Sequence, residues 1–169
     1  MVNNAAVGSA GRLLDLEQQD WERVLSVGVG GVLHAIRHAA PAMRARVGGA
    51  FVNISSIAGR RAMYGMAAYA AAKAGVEAIT RCAALELRAD AIRVNAIAPG
   101  MIRTKAATAN QLALGQAFGA EVSEYVQRSQ GRWGEPDEVA AVAVHLASDE
   151  ASFTTGQTYL LDNGASVLA

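Results

Sequence analysis

The segment AFVNISSIAGRRAMYGMAAYAAAK, residues 50–73, contains the features that decide the fold. It opens with a short apolar run, Ala50 to Ser55, which is typical of a strand buried inside a parallel sheet. A polar loop through Gly59, Arg60 and Arg61 follows, and after it comes an alanine-rich stretch that favours helix. The segment therefore predicts a buried strand, a loop and a helix in succession.

The same alternation of short apolar runs and longer helical patterns extends to both sides of this segment, which indicates βαβ units and an α/β fold with a parallel sheet and flanking helices. The other predicted strands are Val2 to Ala5, Ile92 to Ile97 and Gln157 to Leu161. The other predicted helices run from Glu17 or Asp20 to Arg46 and from Asp137 to Ala147. We expect a single domain.

Three side chains in the central segment form a candidate catalytic group. Tyr69 and Lys73 are four positions apart, so a helix places them on one face, about one turn from each other. Ser56 follows the carboxyl end of the predicted strand, where open α/β sheets place ligands. A nearby cation favours phenolate, so we expect Lys73 to lower the tyrosine pKa from its ordinary value of about 10.

The chemistry that these groups predict is carbonyl–alcohol redox chemistry, with a phenol as acid and a serine hydroxyl that binds the reacting oxygen. An isolated Tyr-x-x-x-Lys pair is more often part of a solvated helix face. The position of Ser56, thirteen residues before Tyr69, makes the catalytic interpretation the stronger one.

Flanking motifs identify the family that this chain resembles. Asn53-Ile54-Ser55-Ser56 before the tyrosine and Ile92 to Gly100 after it closely resemble the classical short-chain dehydrogenase/reductases. Val2-Asn3-Asn4-Ala5-Ala6 is similar to the family's Asn-Asn-Ala-Gly stretch, with alanine in place of the glycine. Three later segments are also typical of the family: Gly131 to Val139, Leu146 to Glu150 and Thr155 to Thr158.

The resemblance implies an NAD- or NADP-dependent oxidoreductase acting on a ketone or secondary alcohol, for example a 3-oxoacyl reductase. It implies that Tyr69 protonates the carbonyl oxygen and Ser56 stabilises its charge, while Lys73 tunes the tyrosine and binds the nicotinamide ribose. It also places further residues around the ribose or nicotinamide. These are Asn4, Pro99, Gly100, Ile102 and Thr104.

Two departures from the family pattern stand out. The first residues correspond to the fourth strand of the family's Rossmann-like sheet, so we expect the carboxyl-terminal part of the doubly wound fold, without the first three strands and the glycine-rich pyrophosphate turn. The choice between NAD and NADP therefore stays open. A Gly-x-Gly-x-x-Leu match at 28–33 follows no strand, and we interpret it as helix interior that its three glycines weaken locally. In the same helix Gly28 occupies the position of the family's tetrad asparagine. The resemblance implies that its loss impairs proton delivery; the alternative is that a neighbouring backbone carbonyl or solvent holds the relay water instead.

The segment between Thr104 and Gly131 is the one expected to meet the substrate. In the family this region covers the site, and here it is largely apolar, which suggests a hydrophobic or medium-sized carbonyl substrate under a mobile lid. A surface helix that covers the sheet is the equal alternative. The apolar residues are Ala106, Ala107, Leu112, Leu114, Ala117, Phe118, Val122, Tyr125 and Val126.

Composition excludes several other classes of protein. Fifteen basic and fifteen acidic residues give no net charge, so nucleic acid and anionic membranes are not expected partners. No apolar run has membrane-spanning length, and a cytoplasmic protein is the default expectation. Cys82 is the only cysteine and is expected to be a buried thiol. His34 and His38 lack a third ligand at usable spacing, so no metal site is predicted.

Two functional hypotheses remain from the sequence. In one, the chain represents a reductase or dehydrogenase; in the other, it is a catalytically silent truncated form that acts as an oligomerisation or regulatory partner. Family members pair through the two helices beside the active site, here about 20–46 and 66–88, so a homo-oligomer is expected under either hypothesis. An exposed edge of the Val2 strand is expected as well.

Overall fold

A computed structural model describes residues 1–46, 48–109, 114–115 and 120–167. The described chain contains a parallel sheet in the order β1-β2-β3-β4, so each strand pairs with the next one in sequence. The strands are β1 (Val2–Asn3), β2 (Gly49–Ile54), β3 (Ile92–Pro99) and β4 (Thr158–Leu161). The prediction of a parallel sheet with flanking helices is confirmed.

Helices connect the strands, as parallel pairing requires. The principal helices are α1 (Gln18–Leu25), α2 (Gly31–Arg44), α3 (Ala67–Glu86), α4 (Lys105–Ala109), α5 (Val122–Gln130) and α6 (Pro136–Ala147). None of the helices within the described ranges is long and apolar enough to cross a membrane.

The hydrophobic core lies on both faces of the sheet because successive residues of a strand point to opposite sides. Phe51 and Val94 pack against α2 and α3 on one face. Val52 and Ile97 pack with Leu146 of α6 on the other face. All five side chains are fully buried, and burial of a side chain of this size stabilises the fold by roughly 1.5–3 kcal/mol. The strand that leads to Ser56 is therefore rigidly held.

The predicted long helix is interrupted by a wider turn. A π-helical segment, Ser26–Gly30, joins α1 to α2 and contains the glycines that were expected to weaken the helix. The Gly-x-Gly match at 28–33 thus lies in helical structure, as predicted. Gly28 is buried, and a Cβ atom there would lie 3.1 Å from the Cβ of Ala72 in α3. The absence of a side chain therefore permits close packing of the two helices.

Several details differ from the sequence predictions. Strand β1 is shorter than expected and pairs only with β2, and Val2 is 50% exposed, in agreement with the exposed edge that was expected. Strand β3 continues to Pro99, whose missing N–H is tolerated at the last position of the strand. The thiol of Cys82 is exposed, so the prediction of a buried thiol is wrong: the residue lies on the outer face of α3.

Candidate active site

The carboxyl ends of the parallel strands meet at one edge of the sheet, and Ser56 lies there two residues after the end of β2. Its backbone is extended, and its hydroxyl oxygen accepts a hydrogen bond from the Ala58 N–H at 3.2 Å. Ser56 thereby caps a short 3-10 helix, Ile57–Gly59, which turns the chain away from the sheet. A serine suits this position because its hydroxyl oxygen accepts from an N–H in the first turn of the helix, which has no backbone carbonyl partner within the helix.

Helix α3 brings Tyr69 and Lys73 to the same place. The Lys73 Nζ donates a hydrogen bond to the Ile54 carbonyl oxygen at 2.8 Å and lies 5.4 Å from the centre of the Tyr69 ring. The Tyr69 side chain is hydrogen-bonded to Ser56. The structure therefore brings together all three residues that the sequence selected, with Lys73 anchored on the strand that precedes Ser56.

Close packing of α3 against the Ser56 turn sets this geometry. A Cβ atom at Gly59 would lie 2.9 Å from backbone atoms of Lys73 and Ala74, so the turn approaches the helix more closely than another residue type would allow. The small side chains of Ala68 and Ala72 are buried on the face of α3 that meets α1.

Burial has the largest effect on the pKa values of Tyr69 and Lys73. It lowers the pKa of Lys73 from 10.5 to about 8, because the ammonium is removed from water. It also raises the pKa of Tyr69, and the hydrogen bond from Ser56 offsets that rise only in part. The expectation that Lys73 lowers the tyrosine pKa is therefore not met in the described chain: desolvation of the phenolate is the larger effect.

A buried carboxylate that sequence reasoning missed supports the serine turn. Glu77 is 4% exposed and accepts a hydrogen bond from the Arg60 Nε at 2.7 Å and one from the Ser55 hydroxyl at 3.2 Å. The Ser55 hydroxyl also lies 3.0 Å from the Lys73 carbonyl oxygen. Glu77 follows Lys73 by one helical turn, and that spacing was the available signal for a shared buried face.

The residues expected around a nicotinamide lie at the same edge. Asn4 is exposed just beyond β1, and the neighbouring Asn3 amide donates to the Asn53 side-chain oxygen at 2.8 Å. Pro99 is buried at the end of β3, and the Gly100 N–H donates to the Leu161 carbonyl oxygen at 3.0 Å. The sequence motifs at the ends of β1 and β3 thus fall on the side of the sheet that carries Ser56.

The segment after β3 is held by a second group that sequence reasoning missed. The Gln130 amide donates to the Met101 carbonyl oxygen at 2.8 Å and accepts from the Met101 N–H at 2.9 Å. Ile102 forms an isolated bridge with Gly134, and Thr104 caps the following helix by accepting from the Ala107 N–H at 3.1 Å. A buried glutamine that bonds one backbone unit twice fixes the path of this segment.

The region expected to cover the site is described only in part. Its end forms α5, in which Val122 and Val126 are buried and Tyr125 is partly buried. Leu114 is partly buried, whereas Leu112, Ala117 and Phe118 lie outside the described residues. One face of α5 is therefore buried, and both alternatives, a mobile lid and a surface helix that covers the sheet, stay predictions.

The histidine pair lies away from the site. His34 and His38 are exposed on α2, with their rings stacked 6.5 Å apart. Within the described ranges, no cluster of three or more potential metal-binding side chains occurs.

Comparison with known proteins decides the family. A family model described as enoyl-(acyl carrier protein) reductase matches residues 1–166. The chain belongs to the classical short-chain dehydrogenase/reductase family. Among curated members of this family, it is 37% identical to the 3-oxoacyl-acyl-carrier-protein reductase FabG of Thermotoga maritima, in an alignment that covers 97% of this chain and 64% of that protein.

Two further members of the family illustrate the similarity. The chain is 39% identical to a cyclohexanol dehydrogenase of Acinetobacter over 95% of its length, which corresponds to 61% of that protein. The crystal structure of levodione reductase superimposes with a TM-score of 0.93 at 32% identity, covering 99% of this chain and 66% of that one. The chain therefore spans less than two thirds of the length of these relatives.

Proposed function

We propose that this chain supplies the catalytic half of an NAD(P)-dependent oxidoreductase that interconverts a ketone and a secondary alcohol. The observation that carries the proposal is the gathering of Ser56, Tyr69 and Lys73 beyond the end of β2. A nicotinamide cofactor would supply or accept the hydride. The protein groups would hold the carbonyl and move its proton.

Each of the three residues has a distinct role in the proposal. The Ser56 hydroxyl holds the carbonyl oxygen and stabilises its developing negative charge. Tyr69 donates the proton to that oxygen in reduction, and its raised pKa keeps the phenol protonated for this step. Lys73 lies beside the tyrosine ring and provides the positive charge that limits the cost of forming phenolate.

The polar groups around Tyr69 are compatible with a nicotinamide ribose. An ammonium has three N–H donors, and Lys73 uses one of them on Ile54. The Ser9 hydroxyl oxygen is buried without a hydrogen-bond partner among the described residues, and Gly8 beside it approaches the Tyr69 ring. We assign the nicotinamide half of the cofactor site to this edge of the sheet. Its proposed members are Asn4, Tyr69, Lys73, Pro99, Gly100, Ile102 and Thr104.

The names of the relatives suggest the kind of substrate. They include reductases of 3-oxoacyl groups and of levodione, and dehydrogenases of cyclohexanol and meso-2,3-butanediol. Each name denotes a compound with a ketone or secondary alcohol, carried in the first case on an acyl carrier protein. We extend this class, with a 3-oxoacyl compound as one member, to the present chain.

We also propose that copies of the chain pair through α1, α2 and α3. Exposed apolar side chains on two of these helices support this, since Leu33 is 41% exposed and Leu85 is 70% exposed.

The test is turnover by the purified chain with NADH and with NADPH, using cyclohexanone and a 3-oxoacyl thioester as substrates. We expect cofactor oxidation that depends on the ketone and that falls at least about 100-fold in Tyr69→Phe, the loss typical of a general acid. Equal rates in the two proteins would contradict the proposal. Cofactor binding without turnover in the unmodified chain would instead favour a silent partner.

A further inference from the structure

A cavity of about 440 Å³ lies beside α3, outside the group of Ser56, Tyr69 and Lys73. Its walls are residues 12–14, residues 62–65, Ala67 and Ala70. Ala70 directly follows Tyr69, and a Cβ atom at Gly8, on the loop that leads to residue 12, would lie 3.9 Å from the Tyr69 ring. The cavity therefore begins one residue beyond Tyr69 along α3, and the Tyr69 side chain is not one of its walls.

A hydrogen bond joins the two loops that form this cavity. The Gly11 N–H donates a hydrogen bond to the Gly65 carbonyl oxygen at 2.9 Å. Gly65 has a φ of +70°, a conformation that other residues rarely adopt. This hydrogen bond joins the loop after β1 to the loop before α3 beside the cavity, and a volume of this size falls in the range of small-molecule sites.

The rim of the cavity exposes an unusual amount of apolar surface. Leu13 is 69% exposed, Leu14 is 87% exposed and Tyr64 is 65% exposed. Single exposed apolar side chains are common on soluble proteins, but adjacent ones around a cavity mark a binding surface. The surface indicates a ligand with an apolar body.

One positively charged side chain, that of Arg12, lines the cavity. Arg12 is exposed and forms no ion pair with the acidic residues of the described chain. Arg61, on the facing loop, donates instead to the Ala165 carbonyl oxygen at 2.6 Å. An apolar cavity with one available guanidinium is complementary to a carboxylate carried on a hydrocarbon chain.

We propose that this cavity binds the end of the substrate that is remote from the carbonyl, and that this end is an apolar chain carrying a carboxylate. The inference rests on the proposed function, because Tyr69 must receive the carbonyl for the cavity to receive the far end. Arg12 binds the carboxylate, and Leu13, Leu14 and Tyr64 cover the hydrocarbon. The substrate class is therefore that of medium-chain keto or hydroxy acids.

The first experiment measures binding of decanoate, octanoate and decanol to the purified chain by calorimetry, so it needs no turnover. We expect decanoate to bind about 10-fold more tightly than octanoate, because two more methylenes are buried. Arg12→Gln should weaken decanoate binding about 3- to 10-fold and leave decanol unchanged. Ala70→Leu, which fills the cavity, should weaken both. Arg37→Gln, a change of an exposed arginine on α2, is the matched control.

A second measurement distinguishes the substrate end from a separate carboxylate ligand. Arg12→Gln should raise KM for a decanoic keto acid with its carbonyl remote from the carboxylate, and should leave KM for a decanone unchanged. No saturable decanoate binding, or equal losses in the Arg12 and Arg37 variants, would overturn the cavity as a site. Decanoate binding with no change in the keto-acid KM would overturn the substrate assignment. Absence of turnover with every ketone would contradict the proposed function and leave the binding result to stand alone.

Discussion

Replacement of Lys73 by methionine tests the electrostatic description of the site. Lys73 is 3% exposed, and its pKa is about 8 in the folded chain against an ordinary value of 10.5. Below about pH 8 the side chain is protonated in both folded and unfolded chains, so the folded chain bears the full cost of a buried ammonium. Methionine removes this charge while keeping a long apolar side chain.

The difference between the pKa of Lys73 in the folded chain and its ordinary value sets the size of the expected change in the free energy of unfolding. At about 1.4 kcal/mol for each pH unit, the buried charge lowers the free energy of unfolding by about 3 kcal/mol near pH 7. As the pH rises from about 8 towards 10.5, the folded chain loses this proton first, the unfolded chain binds more protons, and stability increases. Between about pH 7 and pH 9.5 the gain is about 2 kcal/mol. Tyr69, whose pKa is raised, has the opposite effect above about pH 10, which sets the upper limit of the experiment.

The assay is urea unfolding of the two proteins at both pH values. We expect the unmodified chain to gain about 2 kcal/mol more than Lys73→Met on going from about pH 7 to pH 9.5. Lys105→Met, which changes the exposed second lysine, should retain the pH dependence of the unmodified chain. Identical pH dependence in the Lys73 variant and the unmodified chain would refute a buried ammonium at this position.

Four further substitutions test the packing around the site by urea unfolding. Glu77→Gln removes the charge that faces Arg60 at 2.7 Å, and we expect a loss of about 1–2 kcal/mol; a loss within a few tenths of zero would show that the ion pair contributes nothing. Gly31→Ala places a methyl group where no atom lies within 4 Å and should stabilise the helix by up to about 1 kcal/mol. Gly28→Ala should gain less because its Cβ would lie 3.1 Å from a buried alanine; an equal gain would contradict the close packing of the π-helical segment and α3. Gln130→Ala removes three hydrogen bonds to backbone groups and should cost about 2–4 kcal/mol, whereas a loss below about 1 kcal/mol would mean that this glutamine does not hold the segment after β3.

The sequence predicted the fold well where patterning was strong. The apolar runs of β2 and β3 are buried on both faces, so their periodicity and length identified them within a residue or two. Strand β1 was predicted too long, because the two residues that pair with β2 are followed by polar and small residues with no distinct turn signal. The π-helical turn at Ser26–Gly30 was foreseen only as a weak region, since glycine content predicts instability and not the wider turn that results.

The site was predictable in its members and less so in its electrostatics. Spacing on a helix was enough to place Tyr69 beside Lys73, and the end of a buried strand was enough to place Ser56. The direction of the tyrosine pKa was wrong because desolvation depends on neighbours far apart in sequence. Glu77 and Gln130 were missed for the same reason: their partners lie up to 29 residues away along the chain.

Deuterium transfer from the nicotinamide ring to a ketone tests whether this chain catalyses hydride transfer. The chain is mixed with a ketone and with NADH or NADPH that carries deuterium on the transferring face of the ring, and the alcohol is analysed by mass spectrometry. We expect one deuterium atom on the carbinol carbon of the alcohol formed by the unmodified chain, and much less labelled alcohol from Tyr69→Phe and Ser56→Ala. Alcohol without deuterium, or equal labelled product from all three proteins, would contradict the proposed function.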